Sequence, residues 1–140
     1  MNLATTFIVL LLTAATPAYG GSIANGDSLA VGFGQASRVT TIARVGASSC
    51  EVLGMIPSAH YDSVLLSAGT NDPPGRCIEA IRAKMNASHI KWVAPVNSAR
   101  SHVLQVAAGY GDTLLYYTPG DGRTWPRPSR YWNVLSWPGE

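Results

Sequence analysis

The sequence predicts an α/β fold built on a parallel sheet of five strands, and three observations carry that expectation. Tyr61–Ser67 is an apolar run closed by Ala68-Gly69, which suits a central parallel strand buried on both faces. Between the strand-like runs, apolar residues recur at helical spacing: Ile78, Ile81 and Met85 share one face, and Val103, Val106 and Ala107 share another. Strand and helix signals then alternate along the chain, which implies βαβ units with helices covering both faces of the sheet.

Taken in order, residues 22–25 form a short first strand that ends at Gly26, with a helix starting near Ser28. Residues 38–45 are β-branched and end at Gly46. Ser49–Met55 reads as a short helix stopped by Pro57. After the Tyr61–Ser67 strand, residues 74–85 read as a helix and residues 90–96 as the fourth strand. Residues 98–108 are helical, with Gly109 placed just past the end. Residues 113–117 make the fifth strand, and residues 128–137 close the chain as a helix. No internal repeat, low-complexity tract or second domain interrupts this pattern.

The chain has 140 residues, one domain's worth. Hydrophobic residues make up 46% and charged residues 13%, a globular rather than disordered composition. The formal net charge is +2 and no run of Lys or Arg forms a stripe, so nucleic acid is not indicated as a partner. The first twenty residues differ from the rest. Residues 7–12 are an uninterrupted apolar run extended by Ala14 and Ala15, and Pro17-Ala18-Tyr19-Gly20 follows with small residues at cleavage-like positions. This predicts a signal peptide over residues 1–20 and a single domain over 21–140, although no Lys or Arg precedes the apolar run. The alternative is a buried first element of the domain. The chain is thus expected to be secreted or periplasmic, monomeric, and without a membrane contact once the leader is removed.

In open parallel sheets, ligands bind outside the carboxyl ends of the strands, where strand order reverses. The residues that matter are therefore Gly26-Asp27-Ser28, Gly46-Ala47-Ser48, Gly69-Thr70-Asn71-Asp72, Asn97 and the 118–125 loop. Ser28 follows the first strand in a tight turn at a helix start, which exposes a hydroxyl near free helix-terminal N–H groups. Gly46 offers a bare backbone N–H, and the Asn71 amide can donate to the same spot. The Ser28 N–H, the Gly46 N–H and the Asn71 amide would make an oxyanion hole, the donor set that acyl transfer needs. Taken singly, each residue has a structural reading: Ser28 or Asp27 as a helix N-cap, Asn71-Asp72-Pro73-Pro74 as a turn, Gly46 as the end of a strand.

Gly26-Asp27-Ser28-Leu29, then Gly46, then Gly69-Thr70-Asn71-Asp72 resemble the first three signature blocks of the SGNH hydrolases, the GDSL-type esterases. The resemblance spans nearly the whole of residues 21–140. It implies a flavodoxin-like three-layer α/β/α fold; separately, the absence of a CxxC pair does not suggest zinc, and no cofactor or metal is expected. The resemblance also implies hydrolysis of ester or acetyl groups on a lipid, glycan or small acyl ester, with Ser28 as nucleophile. The family's fourth block, Asp-x-x-His after the last strand, supplies the base and the carboxylate that orients it. Here Asp121 matches the Asp, but Thr124 or Trp125 stands where the His belongs, and neither accepts a proton near neutral pH.

Of the three histidines, His60 and His89 are expected at the amino ends of strands, opposite Ser28, whereas His102 starts nearer and is the candidate substitute base. Asp27, Asn97 and Trp125 are expected to line the substrate site. Tyr116, Tyr117, Tyr131, Trp132 and Trp137 are expected mainly in a core under the terminal helix. Cys50 follows the Gly46 loop and Cys77 follows the Asn71 loop, so a disulfide would brace two oxyanion-hole loops; two buried free thiols are the alternative. The functional expectation is an SGNH-type esterase. The alternatives are a catalytically impaired protein of that fold that binds an acyl or glycan ligand without turnover, and a structural protein that keeps only the fold.

Overall fold

The computed structural model describes residues 19–117. Residues 1–18 of the expected leader, residues 118–125 with Asp121, Thr124 and Trp125, and the segment 128–137 expected as a helix, with Tyr131, Trp132 and Trp137, lie outside the described residues.

The described chain runs β1 (Tyr19–Gly26), α1 (Ser28–Ser37), β2 (Thr40–Ala43), α2 (Ser49–Met55), β3 (Tyr61–Ser67), α3 (Ile78–Lys84), β4 (Ala87–Val93), α4 (Arg100–Tyr110) and β5 (Thr113–Leu115). All neighbouring strands pair parallel, in the order β2-β1-β3-β4-β5. This is the doubly wound order, in which strand succession reverses between β1 and β3.

Side chains on a strand alternate between faces, and the two cores follow that period. Ile23, Val64, Leu66 and Trp92 pack with Val52 of α2, Ile78 and Ile81 of α3, and Val103, Val106 and Ala107 of α4. Ala24, Leu65 and Val93 pack on the other face with Leu29 and Phe33 of α1, joined at the edge by Leu115 and Tyr117. Right-handed crossovers explain the division. The β1-to-β2 connection runs one way along the sheet and the later three run the other, so α1 lies opposite α2, α3 and α4.

Ser49–Met55 and Tyr61–Ser67 have the expected bounds, whereas the other elements shift for local reasons. Tyr19 and Gly20 belong to β1, so the first strand begins inside the stretch assigned to the leader. The expected strand over residues 38–45 shrinks to Thr40–Ala43 because Arg38 closes α1 in the left-handed conformation, φ 56°. The helix expected from residue 74 starts at Ile78, since the Gly75 N–H turns back to the Asp72 carbonyl at 2.7 Å. The fourth strand lies three residues ahead of its expected bounds, at Ala87–Val93, and its end is set before Pro95, which has no N–H for the ladder. The last described helix ends at Gly111, φ 74°, and Gly109 lies within it. Tyr116 is half-exposed rather than in a core, with the Arg100 guanidinium 5.0 Å from its ring centroid. Tyr117 does join the α1-side core, edge-on to Phe33.

Cys50 and Cys77 form a disulfide with a Cα separation of 5.0 Å. It joins the start of α2 to the residue before α3. Bridges of this kind belong to oxidising compartments. Among the described residues, no helix is long and apolar enough to cross a membrane. Replacing both cysteines by serine is expected to lower unfolding stability by about 3.5 kcal/mol, from loop-closure entropy over the 27-residue separation. Urea denaturation of the double variant checks this, and an unchanged midpoint would contradict it.

Candidate active site

The site is built where the ends of β1, β2 and β3 are tied to one another. The Arg44 N–H donates to the Gly26 carbonyl at 3.0 Å, and the Asp27 N–H donates to the Ser67 carbonyl at 3.0 Å. Gly26 sits between the two neighbours at φ +142°, and a Cβ there would lie 1.9 Å from the Ser67 carbonyl oxygen. Only glycine fits that approach. The chain therefore delivers Asp27 and Ser28 to the point of strand-order reversal.

The N-cap of α1 is Asp27, not Ser28: its Oδ1 accepts from the Leu29 N–H at 3.1 Å. Ser28 is the first residue of the helix, 6% exposed. Among the described residues its hydroxyl makes no hydrogen bond. Its N–H belongs to the set a helix leaves without an intrahelical acceptor.

Gly46 occupies an exposed turn after β2 at φ +80°, a conformation that L side chains rarely adopt. The turn leads into a capping box in which the Ser48 hydroxyl accepts from the Glu51 N–H and Glu51 accepts from the Ser48 N–H. Arg44 pairs with Glu51 on the exposed side, and the Ser48 N–H and Arg44 hold the Glu51 carboxyl below its ordinary value.

Asn71 is brought to this turn. Its Nδ2 donates to the Ala47 carbonyl at 2.9 Å, next to Gly46, which uses one of the two amide N–H groups. The neighbouring Asp72 anchors the same loop on α2, accepting from the Ser49 N–H at 2.8 Å and the Ser49 hydroxyl at 2.5 Å. The Ser49 Oγ also accepts from the Cys77 N–H at 3.1 Å, so the disulfide and this network fasten the same two segments.

The remaining expected site residues lie elsewhere or serve the fold. Asn97 braces the loop after β3: its Nδ2 donates to the Thr70 carbonyl at 3.0 Å and the Gly69 carbonyl at 3.4 Å, and its Oδ1 accepts from the Ala99 N–H at 2.9 Å. With both ends of its amide engaged in this way, it braces the loop that carries Asn71. Asp27, expected as a lining residue, is 0% exposed. His102 turns toward α3, with Nδ1 3.3 Å from the Pro74 carbonyl. It borders a groove of about 280 Å³ between α3 and α4, with Glu79 and Tyr110. His60 is engaged at the amino end of the sheet by Asn86 and Ser88. His89 lies within β4, in its amino-terminal half and exposed, rather than ahead of the strand. No described contact joins any histidine to Ser28, and no cluster of metal-ligating side chains occurs among the described residues.

The residues that the sequence did not single out for this site are Ser67 and the side chain of Thr70. The Ser67 hydroxyl donates to Asp27 Oδ1 at 2.7 Å. Burial pushes the Asp27 carboxyl above its ordinary value, outweighing the lowering effect of the Ser67 and Leu29 hydrogen bonds and of the nearby Thr70. A serine closing a buried strand next to an acidic N-cap was the available signal.

Comparison with protein-family models, with curated proteins and with solved structures finds no match for this chain.

Proposed function

We propose that the protein is a serine hydrolase of the SGNH type, acting on an ester or acetyl group of a small-molecule, lipid or glycan substrate outside the cytoplasm. The observation that carries this reading is that the Ser28 turn, the Gly46 turn and the Asn71 loop follow the neighbouring strands β1, β2 and β3 beside the reversal point, with Asn71 bonded to Ala47. Three donors of this kind, aimed at one oxygen, would supply what a tetrahedral oxyanion requires. The leader-like segment and the Cys50–Cys77 bridge support an exported protein. The substrate would enter along the carboxyl edge of the sheet, without a cofactor.

A second reading is favoured by one observation: among the described residues the Ser28 hydroxyl has no hydrogen-bonded base. On that reading the same donors hold an acyl or glycan ligand without turnover. A fluorophosphonate probe separates the two, since it reacts with an activated serine and not with an ordinary one. Covalent mass addition at Ser28, located by peptide mapping, is the expected result for the hydrolase. A full-length exported protein left unlabelled at Ser28 would turn the assignment to the binding protein.

A further inference from the structure

Beneath Ser28 lies a carboxyl group with one oxygen engaged and the other without a partner. Asp27 is 0% exposed, and its Oδ1 accepts from both the Ser67 hydroxyl and the Leu29 N–H. Its Oδ2 is buried with no hydrogen-bond partner, and so is the Oγ1 of Thr70, whose side chain lies against the same carboxyl. Two buried oxygens without partners are costly, and a shared proton relieves both, whether the carboxyl donates it to the hydroxyl or the hydroxyl donates its own to a carboxylate.

No cation faces this carboxyl among the described residues. From β3 and its following loop come Ser67 and both the hydroxyl and the N–H of Thr70, and from α1 comes the Leu29 N–H. From the β2 side Arg44 reaches Gly26 only through its backbone, while its guanidinium pairs with Glu51. Asp72, two residues beyond Thr70, is turned to Ser49.

We propose that Asp27 is a positioning residue that acts as the uncharged acid, its Oδ2–H donating to the Thr70 hydroxyl oxygen. This link is a second tie, beside Ser67, between the turn that carries Ser28 and the loop that carries Asn71. Its bearing on Ser28 rests on the hydrolase reading; the location of the proton does not. Burial, which raises the carboxyl above its ordinary value of 3.8, acts in the same direction. The consequence for stability has a definite sign. Unfolded Asp27 ionises near 3.8 and folded Asp27 at higher pH. Between those values the folded chain holds more protons than the unfolded one, so stability falls as pH rises across that window and then levels off.

The test is titration of the Asp27 carboxyl carbon by NMR in the full-length exported protein, with Thr70→Val, Thr70→Ser and Asp27→Asn. The expected result is titration above the ordinary carboxyl range, moved downward by Thr70→Val and restored by Thr70→Ser. If the Thr70 hydroxyl instead donates to a carboxylate, Thr70→Val moves the titration upward, which would overturn the proposal. Titration of the wild type at or below the ordinary range overturns it without any variant. Asp27→Asn keeps an N–H where the proposed O–H lies, so stability at neutral pH should hold and its slope across the window should flatten. A neutral-pH loss with the slope unchanged contradicts the uncharged acid. Fluorophosphonate labelling of Ser28 over the same pH range keeps the two claims apart: an unlabelled wild type defeats the hydrolase reading while the titration still locates the proton.

Discussion

On the hydrolase reading proposed above, Ser28→Ala is expected to abolish ester hydrolysis while leaving the fold intact. The cap of α1 is the Asp27 carboxyl, which accepts from the Leu29 N–H, so the helix start does not depend on the Ser28 hydroxyl. That hydroxyl makes no hydrogen bond among the described residues, and alanine is a good residue in the first helical turn. Removing a hydroxyl that makes no hydrogen bond leaves no partner unsatisfied, so stability should move by about 0.5 kcal/mol or less. Activity should respond differently. Without the nucleophile, only binding and oxyanion donors remain, and the loss should be on the order of 10³-fold or more. Initial rates on p-nitrophenyl acetate for wild type and variant, at matched concentration, check this. Equal rates with matching melting curves would sink the nucleophile assignment, and the oxyanion donors would then be read as ligand contacts.

Gly26→Ala is expected to cost about 4 kcal/mol of stability, the sum of overpacking and backbone strain. The added methyl would stand 1.9 Å from a backbone carbonyl oxygen of β3, at a φ of +142° that disfavours any L side chain. The obstruction is main chain, so no side-chain rotation relieves it. The Asp27-to-Ser67 backbone bond and the Arg44-to-Gly26 bond flank the clash, so relaxation would displace the Ser28 turn itself. Gly21 provides the control in the same strand, since a Cβ there meets nothing within 4 Å. Gly21→Ala should be neutral or slightly stabilising. Denaturant midpoints of both variants check the contrast, and a Gly26→Ala cost below about 1 kcal/mol would refute the close-approach argument.

Where a segment's own residues impose a period or a stop, its structure could be read directly. The apolar run of Tyr61–Ser67 and the short Ser49–Met55 segment have the bounds that their patterns imply. Where boundaries moved, the deciding contacts were in turns and caps. Arg38 in the left-handed conformation shortened β2, and Gly111 rather than Gly109 closed α4. In the site, Ser28, Gly46 and Asn71 could be nominated because each follows a strand. The roles of Asn97 and Asp27 could not, because a polar side chain at a strand end looks the same whether it faces substrate or braces the next loop. The structure engages Asn97 with two carbonyls and seals Asp27 under Ser67.

By itself, the sequence determined the alternation of strands and helices, the parallel sheet that follows from it, and the succession of motif residues at strand ends. These depend on local periods of two and 3.6 residues and on glycine placement, all encoded within short windows. Only the tertiary structure decided that Asp27 caps the helix that Ser28 begins, that Cys50 meets Cys77 across 5.0 Å, and that Asn71 reaches Ala47. It also turned His102 toward Pro74. The physical reason is that these contacts join residues brought together by sheet order and right-handed crossovers, and the pairing of distant side chains is a property of that packing rather than of any local pattern.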